Sequence, residues 1–229
     1  MRITKLVCKN CGATLSGLGS DILFLCNNCG AGWSTTGSGL EQITVQYRAG
    51  RDSKLPLPFW MVKATVHVLK RTVRNEFTTT MLKLGSRYGE KALIGKTRES
   101  GSSSDRRTFL FPAFPIKGLP GIGVDLSKQI GNLPKESGKT EGFPDVCGGS
   151  ISSLDAAVLA KCVAVGQETE KADWLAEIEI VVSSVKSELV ILPSVQEVEK
   201  VLVTGTGLAF FRRSVPSWNE ILNYHSRRG

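Results

Sequence analysis

Strict alternation of apolar and polar side chains is the clearest structural signal in the middle of the chain. From residue 60 to residue 69 the polar positions are Lys63, Thr65 and His67. This period of two predicts a long strand with one buried face, and Met61 and Leu69 share its polar face. The positions predicted to face the core are Trp60, Val62, Ala64, Val66 and Val68.

Shorter apolar runs predict further strands. Residues 109–111 form one that ends at Pro112, and residues 174–182 alternate, with Glu177 and Glu179 pointing outward. Residues 189–192 are apolar throughout and predict a central strand that stops at Pro193. Residues 201–203 and 208–211 flank a Thr-Gly-Thr-Gly turn, which predicts a hairpin. The stretch from Gly95 to Arg107 is polar and rich in serine, and it predicts a mobile loop.

Three segments show helical signals. Ile122, Leu126 and Ile130 recur at a spacing of four residues. Ser152 followed by Asp155, and Ser217 followed by Glu220, have the spacing of capping boxes that open two more helices. The predicted apolar face of the first capped helix carries Leu154, Val158, Cys162 and Val165, and that of the second carries Trp218, Ile221, Leu222 and His225. The mixture of strands and short helices predicts an α+β fold.

Four cysteines near the start of the chain carry the strongest chemical signal. Cys8 and Cys11 form one CxxC pair, Cys26 and Cys29 form another, and a glycine follows each pair. Two such pairs at this separation favour one tetrahedral zinc ion over disulfides or free thiols. The glycines suit a knuckle that needs positive φ. Four thiolates close the coordination shell, so the Zn²⁺ is predicted to be structural; iron in the same ligand set stays open.

These signals divide the chain into three parts. Residues 1–47 are predicted to form a small zinc ribbon, in which residues 22–25 and 43–47 are strands and Phe24 and Trp33 cover the metal. Residues 48–54 are predicted to be a polar linker, and residues 55–229 a β-rich domain with a few short helices. Zinc binding would supply most of the folding free energy of the ribbon.

Charge is distributed unevenly along the chain. The formal net charge is +8, and a zinc ion bound by four thiolates would lower it to +6. Residues 46–107 hold 14 basic and 5 acidic residues, whereas residues 108–200 hold 8 basic and 13 acidic ones. This predicts either attraction to an acidic surface or packing of one part against the other. The basic residues of interest are Lys63, Lys70, Arg71, Arg74, Lys83, Arg87, Lys91, Lys96, Arg98, Arg106 and Arg107, with only Phe77 and Tyr88 interleaved.

Little else in the chain indicates catalysis, export or membrane insertion. Cys147, which precedes two glycines, is a candidate nucleophile, but no general base is identified near it in the sequence. Cys162 is predicted to be a core residue. His67 is predicted to lie at the surface and His225 to pack near a helix end. No apolar run approaches the roughly 18–20 residues that cross a bilayer, and no apolar signal region precedes Cys8. Reduced cysteines favour the cytoplasm.

The motifs Cys8-x-x-Cys11-Gly12 and Cys26-x-x-Cys29-Gly30 resemble the rubredoxin-like knuckles of the zinc-ribbon superfamily. Its members occur in transcription factors, polymerase subunits and ribosomal proteins, and as adaptors in many bacterial proteins. The resemblance implies that the four cysteines are metal ligands. Residues 57–60 are similar to the start of a β-rich domain in uncharacterised prokaryotic zinc-ribbon proteins.

A closed metal site without a catalytic constellation predicts a non-enzymatic adaptor or accessory subunit. It would contact other protein subunits of a larger assembly, and a homo-oligomer stays open. The alternative is a nucleic-acid-binding protein, an accessory factor in transcription or replication, that uses the basic segment 48–107.

Overall fold

The computed structural model describes residues 6–74, 97–136, 142–171 and 173–226. Within them the chain forms two β-sheets and three α-helices, which confirms the predicted α+β class. The smaller sheet contains β1 (Leu23–Leu25), β2 (Gly32–Thr36) and β3 (Gly39–Ile43). The larger sheet contains β4 (Val45–Tyr47), β5 (Leu55–Arg74), β6 (Thr97–Ser100), β7 (Ser103–Pro112), β8 (Trp174–Gln196), β9 (Lys200–Val203) and β10 (Leu208–Phe211). The helices are α1 (Leu119–Lys128), α2 (Ser153–Thr169) and α3 (Trp218–Ser226).

Two very long antiparallel strands form the frame of the larger sheet. β5 has 20 residues and β8 has 23, and they pair from Leu55 opposite Ser194 to Arg74 opposite Trp174. The pairing register shifts at three places, one of them between Lys63 and Thr65. Ser184, which has a positive φ of 51°, lies on β8 at this shift, as an extra residue in a bulge does. The predicted alternation of β5 is confirmed at its five core positions, which are buried, and at Lys63 and Leu69, which are exposed. Met61, predicted to lie on the polar face, is buried instead.

The remaining strands extend this frame on both sides. β9 pairs with β8 and β10 pairs with β9, so the predicted hairpin is confirmed. On the other side, β7 and β6 pair with successive parts of β5. β4 pairs with β8 in parallel, Val45 lying opposite Leu189. The chain therefore passes from the smaller sheet into the larger one at residues 43–45.

Two predicted strand boundaries are wrong. The described part of the predicted mobile loop, residues 97–107, contains β6 and the first half of β7 instead, whereas Gly95 and Lys96 lie outside the described residues. Residues 101–106 are exposed, so the apolar alternation that marks a buried strand face is absent there. β8 does not stop at Pro193 but continues to Gln196. Pro193 lies opposite Pro56, and its carbonyl accepts a hydrogen bond from the Thr204 amide (2.9 Å), which keeps it in the sheet.

Two of the helices, α1 and α2, pack against the larger sheet and against each other. α1 packs on β7, and α2 packs on β8, on β5 and on α1. Gly123 on α1 allows the close approach, because a Cβ there would lie 2.6 Å from Val163 of α2. The capping box of α2 is confirmed: the Ser152 hydroxyl accepts from the Asp155 amide, and the Asp155 carboxylate accepts from the Ser152 amide.

The predicted apolar face of α2 is wrong for three of its four residues, whereas the fourth, Val165, packs against the main core. Leu154 is 80% exposed and Val158 is 66% exposed, and Cys162, predicted to be a core residue, is also exposed. The helix buries a face of small side chains, which lets its backbone approach the sheet more closely than leucines would allow. That buried face comprises Ala156, Ala160, Val163 and Ala164, with Glu168 at its end.

Side chains of strand β1 and of the residue after it belong to two different hydrophobic clusters. Leu23 and Leu25 belong to the main core, whereas Phe24 and Cys26 belong to the cluster around the four cysteines. In the predicted linker, Ala49 is fully buried, and the amides of residues 48 and 49 donate to the Ile191 carbonyl. The division of the chain into two domains with a linker at residues 48–54 stays a prediction. If the two parts were separate domains, these contacts would lie at the boundary between them.

Candidate metal centre

The two CxxC pairs form knuckles with the same hydrogen-bonding pattern. In the first, the Cys8 amide donates to the Ala13 carbonyl (2.8 Å) and the Gly12 amide donates to the Cys8 carbonyl (2.8 Å). In the second, the Cys26 amide donates to the Ala31 carbonyl (2.9 Å) and the Gly30 amide to the Cys26 carbonyl (2.7 Å). Gly12 has φ 76° and Gly30 has φ 69°, as predicted from the glycine that follows each pair. The repeat Cys-x-x-Cys-Gly-Ala therefore encodes one local structure twice.

The four thiols converge on one point. All four Sγ atoms lie within 4.8 Å of one another, and every cysteine is free. Two of the Sγ–Sγ contacts join one knuckle to the other: Cys8 to Cys29 at 3.6 Å and Cys11 to Cys26 at 3.5 Å. A tetrahedron with Zn–S bonds of about 2.3 Å has edges of about 3.8 Å, which these distances approach. The predicted cluster is confirmed, and it could hold a metal ion.

Hydrogen bonds around the cluster favour thiolates at two of the four positions. The side-chain amide of Asn28 and the Ala13 amide lower the pKa of Cys11 to about 6. At Cys8 burial acts to raise the pKa, but the amides of residues 10 and 11 and the Trp33 indole together lower it. Burial raises the pKa of Cys26 to about 12, so this cysteine depends on a cation to become a thiolate.

Aromatic side chains cover the site, as predicted for Phe24 and Trp33. The Trp33 Nε1–H donates to Cys8 Sγ (3.3 Å), so this sulfur accepts a hydrogen bond from within the cluster. On the opposite side, the Tyr47 hydroxyl donates to the Gly30 carbonyl (3.2 Å) and the Tyr47 ring lies 4.9 Å from that of Phe143. The second knuckle is thus enclosed by side chains from outside the first 45 residues.

The segment around residues 145–149 holds the cysteine cluster against the main core. The Asp145 carboxylate accepts from the Asn27 side chain (2.6 Å) and from the Tyr224 hydroxyl (3.0 Å). The Gly149 carbonyl accepts from the Leu23 amide (2.9 Å), and Gly148 lies so close to β1 that a Cβ would meet the Leu23 carbonyl oxygen at 2.0 Å. Residues 146–149 are buried, and only the two adjacent glycines signalled this contact in the sequence.

The other cysteines and the histidines lie apart from this cluster. Cys147 is buried in the main core, and this burial raises its pKa far above the usual range, which does not suit a nucleophile. His67 lies on the open face of β5, with its Nε2 2.8 Å from the Ser183 hydroxyl. His225 is in the last turn of α3, half-buried, and burial lowers its pKa. Within the part of the chain that the structure describes, these groups do not converge on a second site.

Two arginines of the basic segment form ion pairs with a buried glutamate of the same chain. Arg71 Nε lies 3.1 Å from Glu168 Oε2, and Arg107 Nη2 lies 2.8 Å from Glu168 Oε1. Lys171 Nζ also contacts this fully buried carboxylate at 2.6 Å. The charge asymmetry along the chain therefore reflects, at least here, packing of the basic middle against the acidic later half, which is one of the two predicted explanations.

The rest of the basic segment offers little support for a nucleic-acid surface. Lys63 pairs with Glu188 (3.4 Å) and Lys70 pairs with Glu177 (2.7 Å), while Arg106 is exposed. Arg74 and Arg98 lie in β5 and β6. Lys83, Arg87, Lys91 and Lys96, together with Phe77 and Tyr88, lie outside the described residues.

Among the described helices, none is long and apolar enough to cross a membrane. In comparisons with known proteins, the chain matches no protein-family model, no curated protein and no solved structure. The likeness to zinc ribbons therefore rests on the two knuckles and the convergence of their four thiols.

Proposed function

We propose that Cys8, Cys11, Cys26 and Cys29 hold one structural Zn²⁺ ion, and that the protein is a non-enzymatic adaptor or accessory subunit of a larger assembly. The observation that carries the proposal is the closed set of four thiols, all within 4.8 Å of one another. Four thiolates fill a tetrahedral shell and leave no position for water or a substrate. The metal then stabilises structure and does not activate a reactant.

The small size of the surrounding cluster explains why a metal is needed. Around the cysteines the buried apolar side chains are few, chiefly those of Leu15, Phe24 and Trp33. A cluster of this size cannot offset the conformational entropy of ordering two knuckles and three short strands. Zinc binding would supply that free energy, and β1 would transmit the order to the main core through Leu23 and Leu25.

The outer face of α2 supports a role in protein–protein contact. Leu154 and Val158 are exposed at a spacing of four residues, and Cys162 continues the same row. A helix that presents an apolar row at this spacing fits the apolar groove of another protein, and exposed apolar residues in a row are unusual on a surface that remains in water. The partner we propose is a protein with such a groove.

The metal assignment is tested by measuring zinc and iron in the purified protein by mass spectrometry, together with its visible absorption. We expect one zinc per chain and no visible band. Cys26→Ser should lose the metal, whereas Cys162→Ser, which removes an exposed cysteine far from the cluster, should keep it. A red protein with one iron per chain would contradict the zinc assignment.

The adaptor role is tested by purifying the tagged protein from its native cells, with and without nuclease. We expect a stoichiometric protein partner that survives nuclease and is lost in Leu154→Ser/Val158→Ser. The control is Val198→Ser, which removes a residue that is 85% exposed elsewhere. If only nucleic acid accompanies the protein, or if both variants behave alike, the adaptor proposal fails.

A further inference from the structure

A second site lies where the edge of the larger sheet turns into α3. After β10 the chain forms a single turn of 3₁₀-helix (Arg212–Ser214) and then α3. A cavity of about 470 Å³ opens between these elements. Its lining includes Glu199, Phe211, Arg212, Arg213, Trp218 and Asn219.

Cations without carboxylate partners gather around an exposed aromatic ring at this cavity. Phe211 is 40% exposed, the Arg213 Cζ atom lies 5.0 Å from its ring centroid, and Lys200 Nζ lies 5.3 Å from it. Among the described residues, Lys200, Arg212 and Arg213 have no ion pair, in contrast to Arg71 and Arg107. The positive charge here is therefore available to an external anion.

A buried hydrogen-bond donor lines the same cavity. Trp218 is only 5% exposed and packs edge-on against Phe210, with the ring centroids 6.3 Å apart. Its Nε1–H has no acceptor in the described part of the chain. By contrast, Trp33 donates to Cys8 Sγ and Trp60 donates to the Ile151 carbonyl (2.8 Å). A buried donor without an acceptor is costly, and because Trp218 also lines the cavity, its indole N–H signal would respond to a molecule bound there.

The first turn of α3 adds to the preference for an anion. The predicted capping box is absent, because the Ser217 hydroxyl makes none of the hydrogen bonds of a cap with the residues that the structure describes. Trp218 and Asn219, which open this nine-residue helix, lie on the cavity. The Trp218 amide already donates to the Val215 carbonyl (3.2 Å), and Glu220 lies in the same turn. The helix dipole and the amides of Asn219 and Glu220 are therefore what favours negative charge at this end.

We propose that this cavity binds a nucleotide through its phosphate groups. Arg212 and Arg213 would bind the phosphates, and the base would lie against the exposed Phe211 ring. The Glu199 carboxylate, which also lines the cavity, would accept a hydrogen bond from a sugar hydroxyl. An anion without a sugar has no such hydroxyl, so this contact would favour a nucleotide. The nucleotide is either free or part of a single strand. This site is independent of the cysteine cluster and of the outer face of α2.

The test follows the indole N–H signals of the zinc-loaded full chain by NMR during titration with ATP, with Trp218→Phe assigning the signal. We expect the Trp218 signal to shift in a saturable way. Arg212→Gln/Arg213→Gln should weaken binding at least about tenfold, since a hydrogen bond to a charged group contributes that much or more. The control Arg106→Gln/Lys161→Gln removes the same charge from exposed positions elsewhere and should bind as the wild type does.

Parallel titrations identify the source of the nucleotide. Tighter binding of ATP than of a ten-residue oligothymidylate supports a free nucleotide, and the reverse, with steep salt dependence, supports a strand. The proposal is overturned if the Trp218 signal responds to neither, if tripolyphosphate or polyglutamate binds as tightly as ATP, or if the double variant binds as its control does. Phe211→Ser, at an exposed position, provides a second variant should the double variant lose its zinc or its dispersed amide spectrum.

Discussion

The side-chain amide of Asn27 donates a 2.6 Å hydrogen bond to the carboxylate of Asp145, which joins the second knuckle to a segment 118 residues later in the chain. The same carboxylate oxygen accepts from the Tyr224 hydroxyl on α3 (3.0 Å), which in turn lies 3.3 Å from the Ser16 hydroxyl. One carboxylate therefore connects the cysteine cluster with the last helix. The cysteine cluster and the main core are coupled through this contact as well as through β1.

Removing the Asn27 amide should weaken this attachment without emptying the metal site. For Asn27→Ala we expect the free energy of unfolding to fall by about 1 kcal/mol, because the hydrogen bond is charge-assisted but exposed. Hydrogen exchange should rise at residues 142–150 while the metal content stays the same. Asn10→Ala, in the first knuckle, is the control. Equal exchange in the two variants would show that the contact does not hold the segment.

Alanine substitutions at the two knuckle glycines separate the cost of backbone strain from the cost of a steric clash. An alanine at Gly12 would suffer only from the positive φ, since nothing lies within 4 Å of a Cβ there. An alanine at Gly30 would also place its Cβ 2.3 Å from the Phe143 ring. We expect Gly12→Ala to cost about 1–2 kcal/mol and Gly30→Ala to cost more.

The measurement for this pair is urea unfolding of the zinc-loaded protein. Gly30→Ala/Phe143→Ala should recover part of the loss, because it removes the clash but not the strain. If the two single variants are equally stable, the close approach of Phe143 to the knuckle is not a constraint on the fold.

Replacing the buried carboxylate of Glu168 should destabilise the larger sheet strongly. Glu168→Gln leaves Arg71, Arg107 and Lys171 without the charge that they share, and we expect a loss of about 3–5 kcal/mol. Glu170→Gln, two residues away, breaks only a surface pair with Lys128 and should cost less than about 1 kcal/mol. Chemical denaturation of both variants decides between a structural network and a set of independent surface pairs.

The acid side of the stability curve should depend on Glu168. Burial acts to raise its pKa, but hydrogen bonds from Lys171 and Arg107 lower it below the usual value of 4.5. A lowered pKa in the folded state means that the stabilisation is present above pH 4.5 and is lost as the pH falls through the folded value. Unfolding free energies measured below pH 5 should therefore fall steeply in the wild type and less so in Glu168→Gln.

Asp21 should have the opposite pH dependence. Burial raises its pKa from 3.8 to about 6, although the Leu18 and Gly148 amides donate to its carboxylate. A raised pKa in the folded state gives a contribution that is present below pH 3.8 and is lost as the pH rises through about 6. Asp21→Asn, whose amide oxygen can still accept, should remove this component from the stability curve between pH 4 and pH 7. The exposed Asp52→Asn is the control, and a slope identical to the wild type in Asp21→Asn would contradict the assignment.

The sequence predicted those elements well whose short pattern of residues is typical of a single structure. The alternation from Trp60 to Leu69, the capping box at Ser152 and the paired CxxC-Gly motifs each correspond to the structure. These signals depend on neighbouring residues alone, which is why a single sequence contains them.

Long-range packing was not predictable in the same way. The helix α2 is apolar on more than one side, so its sequence pattern did not show which row of side chains faces the sheet. The row of alanines faces the sheet because small side chains allow the closest approach of the helix. The binding of Arg71 and Arg107 to Glu168 joins residues about 60 to 100 positions apart. The parallel pairing of β4 with β8 likewise depends on a partner more than 140 residues away.

The pairing of β5 with β8 has a consequence for synthesis of the chain. Leu55 finds its partner Ser194 only after 138 intervening residues have been made, whereas both knuckles are complete by Ala31. The four cysteines can therefore come together long before β8 exists. Until then β5 lacks the strand that pairs with it along its whole length, and only β6, β7 and the helices made earlier can contact it. In this interval a chaperone or a slow ribosome would most affect the yield of native protein.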